Sequence, residues 1–247
     1  MKVKFIIVPA SVVILWLLIT EFNLVHAILL PSPVEVFRQL FSLIISGEIL
    51  SDLVATLSRL LIGFTLAVII GVTVGLMMGS SKSFHEVMEF SVDSLRSIPA
   101  TALFPLFMIL LGVGNKSNIA LTAFPCIWIM TINTMYGVRN SSQVRKQIAR
   151  VFKASPAQQF FRVTVPDALP YIATGLRLSV AIALHMAVVA EMFTGTKEGL
   201  GRRIFDAQLL LRIPEMYALI ILTGVIGYAL NMGWLAIERR IVHWAGR

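Results

Sequence analysis

Two ionisable side chains stand inside apolar sequence, where charge is unfavourable. Glu191 closes a run that begins near Tyr171, and His185 lies six residues before it. A charge within a hydrocarbon slab is destabilising unless it is paired or faces water. Both residues are therefore candidates for a translocation path. At 100° per residue they do not share a helix face, which weakens a proton-relay pair and favours a hydrogen-bonded, structural His185. Glu191, near the end of its run, suits a mouth or an interface. The single cysteine, Cys126, lies in an apolar run without a basic neighbour, so a buried, inert thiol is expected and no disulfide framework can form. No metal site is expected.

The other chemistry-bearing stretch is polar: residues 145–179, RKQIARVFKASPAQQFFRVTVPDALPYIATGLRLS. Ile148, Val151 and Phe152 fall at helical spacing with Lys146, Arg150 and Lys153 between them. After Ala154 comes a start signal, with Ser155 as N-cap, Pro156 at the first helical position and Gln158 three residues beyond the cap. A short helix from Pro156 to about Val163 would present Phe160 and Phe161 as adjacent aromatic knobs. Pro166 and Pro170 are expected to end it and lead the chain back into apolar sequence. Such a protrusion could lie on anionic lipid through its basic residues. The aromatic pair, with Arg162 beside it, better suits a partner's groove, because buried aromatics dominate interface energetics.

The elements that carry these residues are membrane-like. Of 247 residues 57% are hydrophobic and 14% charged, against about 25% charged in a soluble domain. Mean hydropathy is +0.84. Apolar runs at 5–20, 60–78, 99–113, 119–138, 171–190 and 217–237 predict six spans. The first follows Lys2 and Lys4 and resembles a signal peptide without a small-x-small cleavage site, so an uncleaved span is expected. The third is short and holds Pro99 and Pro105. With the N-terminus inside, 14 of the 21 basic residues, Arg96 and Arg139 among them, fall on the inner side. This is the bias of cytoplasmic loops, and it accounts for the net charge of +8 without nucleic acid. Both termini and the 145–179 stretch are then cytoplasmic.

Two spans carry small residues at every fourth position, which lets helix backbones approach closely. One stripe is Gly63, Ala67, Gly71, Gly75, Gly79; the other is Gly175, Ser179, Ala183, Ala187, leading to Glu191. Static helix packing is the plainer expectation, and a moving seam or translocation path the sharper one.

The segment VTVPDALPYIATGLRLSVAIAL resembles the second half of the EAA loop of ABC-transporter permeases. The stretches LSRLLIGFTLAVIIGVTVGLMMG, LRSIPATALFPLFMILLGVGNKS, AEMFTGTKEGLGRRIFDA and IERRIVHWAG are similar to the sulfonate/nitrate/taurine permease subfamily. The resemblance runs from about residue 30 to the end. It implies an all-α, polytopic type I importer domain of about six spans. Residues 1–50 would form an N-terminal span and extracytoplasmic loop, and 51–240 the transmembrane domain, with the EAA loop at about 140–170. It also implies a bacterial-type inner membrane, a second permease copy (identical or not), ATPase subunits that hold the ATP and Mg, and an extracytoplasmic binding protein. A small polar or anionic solute would be carried. The chain has no G-x-x-x-x-G-K-[ST] loop of its own, so a conduit rather than an enzyme is expected.

Carried onto this chain, the coupling segment comprises Gln147, Ala149, Arg150, Lys153, Ala154, Ser155, Pro156, Gln158, Phe160, Phe161, Arg162 and Pro166. Gln147 stands where the family pattern has Glu, and Lys153 where it has Gly. Glycine suits a turn at positive φ, and a lysine there costs roughly 1 kcal/mol or forces another turn. The competing expectation is an ion-coupled secondary transporter, which would need ionisable residues or broken helices at the midplane.

Overall fold

A computed structural model describes residues 4–26 and 28–241. Lys2, Arg247 and the end of the IERRIVHWAG stretch lie outside them. The helices are α1 (Lys4–Glu21), α2 (Pro33–Ser46), α3 (Leu50–Ser80), α4 (Lys82–Arg96), α5 (Phe104–Leu111), α6 (Asn115–Arg139), α7 (Gln143–Val151), α8 (Pro156–Gln159), α9 (Val165–Phe193), α10 (Leu200–Leu209) and α11 (Ile213–Ile241). A 3-10 turn at Ala100–Leu103 precedes α5, and a π turn at Phe160–Thr164 joins α8 to α9. Helices suit these runs because every backbone polar group in lipid must be satisfied within its own segment.

Among the described residues four helical runs are long and apolar enough to cross a membrane: α3, α6, the continuous Pro156–Phe193 run, and α11. The apolar part of α1, Ile7–Glu21, is shorter. The third predicted span is broken: α4 and the Ala100–Leu111 helix meet at 86°.

Helix α3 lies against α6 along its glycine stripe. A Cβ built on Gly63 would meet Thr122, on Gly71 Met130, on Gly75 Thr134 and on Gly79 Val138, each at 2.5–2.9 Å. The constant offset of 59 residues means that α3 and α6 run parallel. The chain between them must therefore cross the membrane in the opposite sense, and the bent α4–α5 pair supplies that crossing.

The second stripe packs on α6 antiparallel. A Cβ on Gly175 would meet Asn133 at 2.9 Å. The Ser179 carbonyl accepts from Cys126 Sγ at 3.4 Å, and the Ala187 carbonyl from Asn118 Nδ2 at 3.1 Å. Ala183 and Ala187 are fully buried, as is Cys126. Both stripes thus contact α6 inside one chain.

The prolines do not end the short helix begun at Pro156 as the sequence predicts. Pro166 falls in the first turn of α9 and Pro170 lies inside it. The π turn accounts for Pro166, because Val165 N–H donates to Phe160 O, five residues back. The wider turn makes room for a ring that would otherwise crowd a carbonyl four residues earlier. Arg96, placed in a cytoplasmic loop from sequence, instead ends α4 at the break of the broken span.

Candidate functional site

The protrusion between α6 and α9 is built from two capped helices anchored on α9. Ser142 caps α7, its Oγ accepting from Arg145 N–H at 3.3 Å. Asp167, at the root of α9, accepts from Ser142 N–H at 2.9 Å and Arg145 Nε at 3.2 Å, and its other oxygen lies 2.9 Å from Arg145 Nη2. Its carboxylate ties the start of the loop to the start of the next span.

Helix α7 closes in a Schellman motif centred on Lys153, whose φ is +55°. Lys153 N–H donates to Arg150 O at 2.9 Å and Ala154 N–H to Ala149 O at 3.0 Å. The left-handed turn that glycine would ease is therefore kept, with a lysine in it. Ser155 Oγ then accepts from Gln158 N–H at 3.2 Å while Gln158 Oε1 accepts from Ser155 N–H at 2.9 Å, a reciprocal capping box. Gln159 Nε2 donates to Ala154 O at 3.0 Å.

Phe160 and Phe161 meet edge to face, with centroids 5.1 Å apart. They are not equivalent knobs, however: Phe161 is 68% exposed and Phe160 is half-buried. The most exposed apolar groups of the protrusion are Val151 and Phe152, each 80% exposed. Gln147, Arg150, Lys153, Ser155, Pro156, Gln158 and Arg162 are exposed, and Ala149, Ala154 and Pro166 half-buried. The sequence offered Val151 and Phe152 as part of an amphipathic face.

Glu191 faces no open path. It is fully buried and 2.5 Å from Arg59 Nη1. Thr56 Oγ1 lies 2.9 Å from both its oxygens, and Gly201 N–H donates to it at 2.9 Å. The first amides of α10 all end on acceptors from α3 and α9. Gly199 N–H reaches Asp52 Oδ1 at 2.8 Å, Leu200 N–H reaches Thr56 Oγ1 at 2.9 Å, and Gly201 N–H reaches Glu191. This satisfies the unpaired donors of a helix start with two carboxylates and a hydroxyl. Gly199 has φ +138°, and a Cβ there would strike the Glu191 carboxylate.

Beside this clasp Arg203 joins Glu215, Glu48 and Asp52 at 2.9–3.3 Å. Burial alone would lower the pKa of its guanidinium, but hydrogen bonds to these three acids outweigh it and hold the group above its ordinary value. Arg59, Asp52, Arg203 and Asp167 were not singled out from sequence. One signal was available: Arg59 and Glu191 are opposite charges at the outer ends of two apolar runs.

His185 is exposed on α9 and makes no hydrogen bond to a described residue, against the structural role expected for it. Among the described residues no group of three or more acid, histidine or cysteine side chains could hold a metal.

Residues 67–243 match the family described as "Binding-protein-dependent transport system inner membrane component". A Bacillus subtilis (strain 168) protein named as an aliphatic sulfonates transport permease, SsuC, is 33% identical over 241 residues, covering 98% of this chain and 87% of that one. The nitrate import permease protein NrtB of Synechocystis is 32% identical over 222 residues, covering 86% and 80%. Among solved structures, one of the inward-facing MetNI methionine ABC transporter has a chain sharing this fold, with TM-score 0.67, 16% identity, and coverage of 76% and 93%.

Proposed function

Because the chain belongs to the family of inner membrane components of binding-protein-dependent transport systems, we propose that it is the permease subunit of an ATP-driven importer for a small polar or anionic solute of the sulfonate, taurine or nitrate type. The names of the relatives support the solute class. Two permease copies, identical or not, would enclose the path. ATPase subunits holding ATP and Mg would drive it, and an extracytoplasmic binding protein would deliver the solute. The bacterial-type plasma membrane is the setting this implies.

The observation that carries the coupling role is the protrusion itself. A doubly capped turn, tied to the root of α9 by Asp167, holds Val151, Phe152 and Phe161 out into the cytoplasm. A rigid knob on a spanning helix can pass an ATPase's motion to the span as a rigid-body shift. Gln147 and Lys153 belong to the same surface and set its fit to the partner groove.

The test is Phe152→Ala with Phe161→Ala in the assembled complex. Substrate-stimulated ATP turnover and uptake should be lost while membrane insertion stays normal. Full coupling in the double variant overturns the docking role.

A further inference from the structure

The break between α4 and α5 places an arginine at membrane depth. Irregular backbone at that depth is tolerated only where it is buried in protein or lines a water-filled cavity. Here it lines two clefts. One, of about 670 Å3, is bounded by Arg96, Ser97, Pro99, Phe124, Trp128 and Ile182. The other, of about 160 Å3, runs towards the cytoplasm past Arg96, Asp93, Glu89, His85, Thr131 and Arg139. Arg96 and Ile132 belong to both. The level of Arg96 follows from its neighbours on α6. Ile132, the α6 residue that lines both clefts with it, lies seven residues before Arg139, roughly 10 Å at 1.5 Å per residue.

A plainer account of Arg96 exists: it closes α4 beside Asp93, with Nε 2.9 Å from Oδ1, and a cation suits a helix C-terminus. Neither point explains its depth or its surroundings. Its side chain is 52% exposed, and Asp93 is its only ion-pair partner among the described residues.

The lining has a second peculiarity. Six buried side-chain polar atoms have no hydrogen-bond partner among the described residues, and His85 Nδ1, Trp128 Nε1 and Thr131 Oγ1 are three of them. All three residues line these clefts. An unpaired buried polar atom costs about 1–3 kcal/mol, so a cluster of them marks a place where something polar passes. Of the three, the indole N–H can only donate, while the hydroxyl and the imidazole nitrogen can donate or accept; the Arg96 guanidinium beside them can only donate. Such a surface suits a solute that only accepts, which is the chemistry of an oxyanion. Arginine's fork fits sulfonate, nitrate or carboxylate oxygens.

Resting on the permease reading above, we propose that Arg96 contacts the anionic group of the translocated solute at the helix break, with Trp128 and Thr131 as neighbouring donors. Asp93 and Glu89 keep the site from trapping its cargo, since conduction needs attraction weak enough for release.

The test uses the full chain in inside-out membrane vesicles, with Ser97→Cys as reporter and the buried Cys126 as the unreactive background. Modification rates are compared for an anionic sulfonatoethyl methanethiosulfonate and its cationic trimethylammonium analogue. Arg96→Gln should lower the anion-to-cation rate ratio roughly tenfold, and Arg96→Lys should largely keep it. No reaction with either reagent, or a ratio indifferent to Arg96, overturns the proposal. A second arm measures taurine uptake by the assembled complex. Wild-type uptake that Arg96→Gln leaves unchanged also overturns it. An Arg96-dependent labelling ratio in a wild type that takes up no sulfonate supports the anion site while sinking the solute class.

Discussion

Arg59 of α3 and Glu191 of α9 form a buried ion pair, 2.5 Å apart in space and 132 residues apart in sequence. The pair does not stand alone. Arg59 also donates to the Glu198 carbonyl at 2.7 Å and to Asn115 Oδ1 at 2.9 Å. A buried pair pulled out of water contributes little unless such extra hydrogen bonds complete it, whereas removing one partner is strongly destabilising. The clasp therefore fixes the starts of α3, α6 and α10 and the end of α9 relative to one another.

Glu191→Ala should destabilise the protein by about 3–5 kcal/mol, because Arg59 and the Gly201 amide are left buried without their acceptor. Arg59→Met combined with Glu191→Ala should cost less than the two single changes added together. Denaturant titration in detergent micelles measures both. A double variant as unstable as the sum shows that the two residues are not coupled.

The α3–α6 seam gives a matched pair of glycine substitutions. Gly71→Ala would bring a Cβ to 2.5 Å from Met130 Cβ and 2.7 Å from the Ile127 carbonyl, while Gly224 has nothing within 4 Å. Gly71→Ala should cost about 1–3 kcal/mol through forced separation of the helices. Gly224→Ala, inside α11, should be neutral or stabilising by up to about 1 kcal/mol. Thermal unfolding in the same detergent separates them, and equal effects would argue against the parallel packing.

Much of this architecture is written in local sequence. The runs that became α3, α6 and α11 stand out by apolarity, the glycine stripe by its spacing of four, and the Ser155 capping box by two residue types three positions apart. What the sequence hid was pairing across distance. Glu191 is a lone acid in its own run, and the packing of α3 and α9 against α6 and each other brings Arg59 to it. The fate of Pro166 was also hidden, because a π turn is a backbone adjustment without a residue signature. Arg96 reads as a loop charge until the bent α4–α5 pair is recognised as a crossing.

Lys153 occupies a left-handed turn, with φ +55°, that glycine adopts freely. Lys153→Gly should stabilise the closure of α7 by about 1 kcal/mol if the native turn is kept. Slower amide exchange at Lys153 and Ala154, whose N–H groups make the Schellman bonds, is the expected result. Faster exchange would mean that the lysine side chain contributes a contact outweighing the backbone strain.

The attachment of the protrusion to α9 can be divided between two interactions of Asp167. One is the ion pair to Arg145, whose side chain is 63% exposed; exposed pairs contribute about 0–1 kcal/mol. The other is the charged cap on Ser142 N–H at 2.9 Å, from a carboxylate only 10% exposed, and hydrogen bonds to charged groups contribute about 1.5–3 kcal/mol. The cap should dominate. Arg145→Ala should therefore leave solute uptake within about twofold of wild type, the effect of about 0.4 kcal/mol. Asp167→Ala should raise amide exchange across 142–146 and uncouple ATP turnover from uptake. Asp167→Asn, which keeps an acceptor but loses the charge, should fall between the two. Exchange mass spectrometry and uptake by the assembled complex read the same ranking independently. If Arg145→Ala proved as damaging as Asp167→Ala, the ion pair and not the cap would hold the lever to its span.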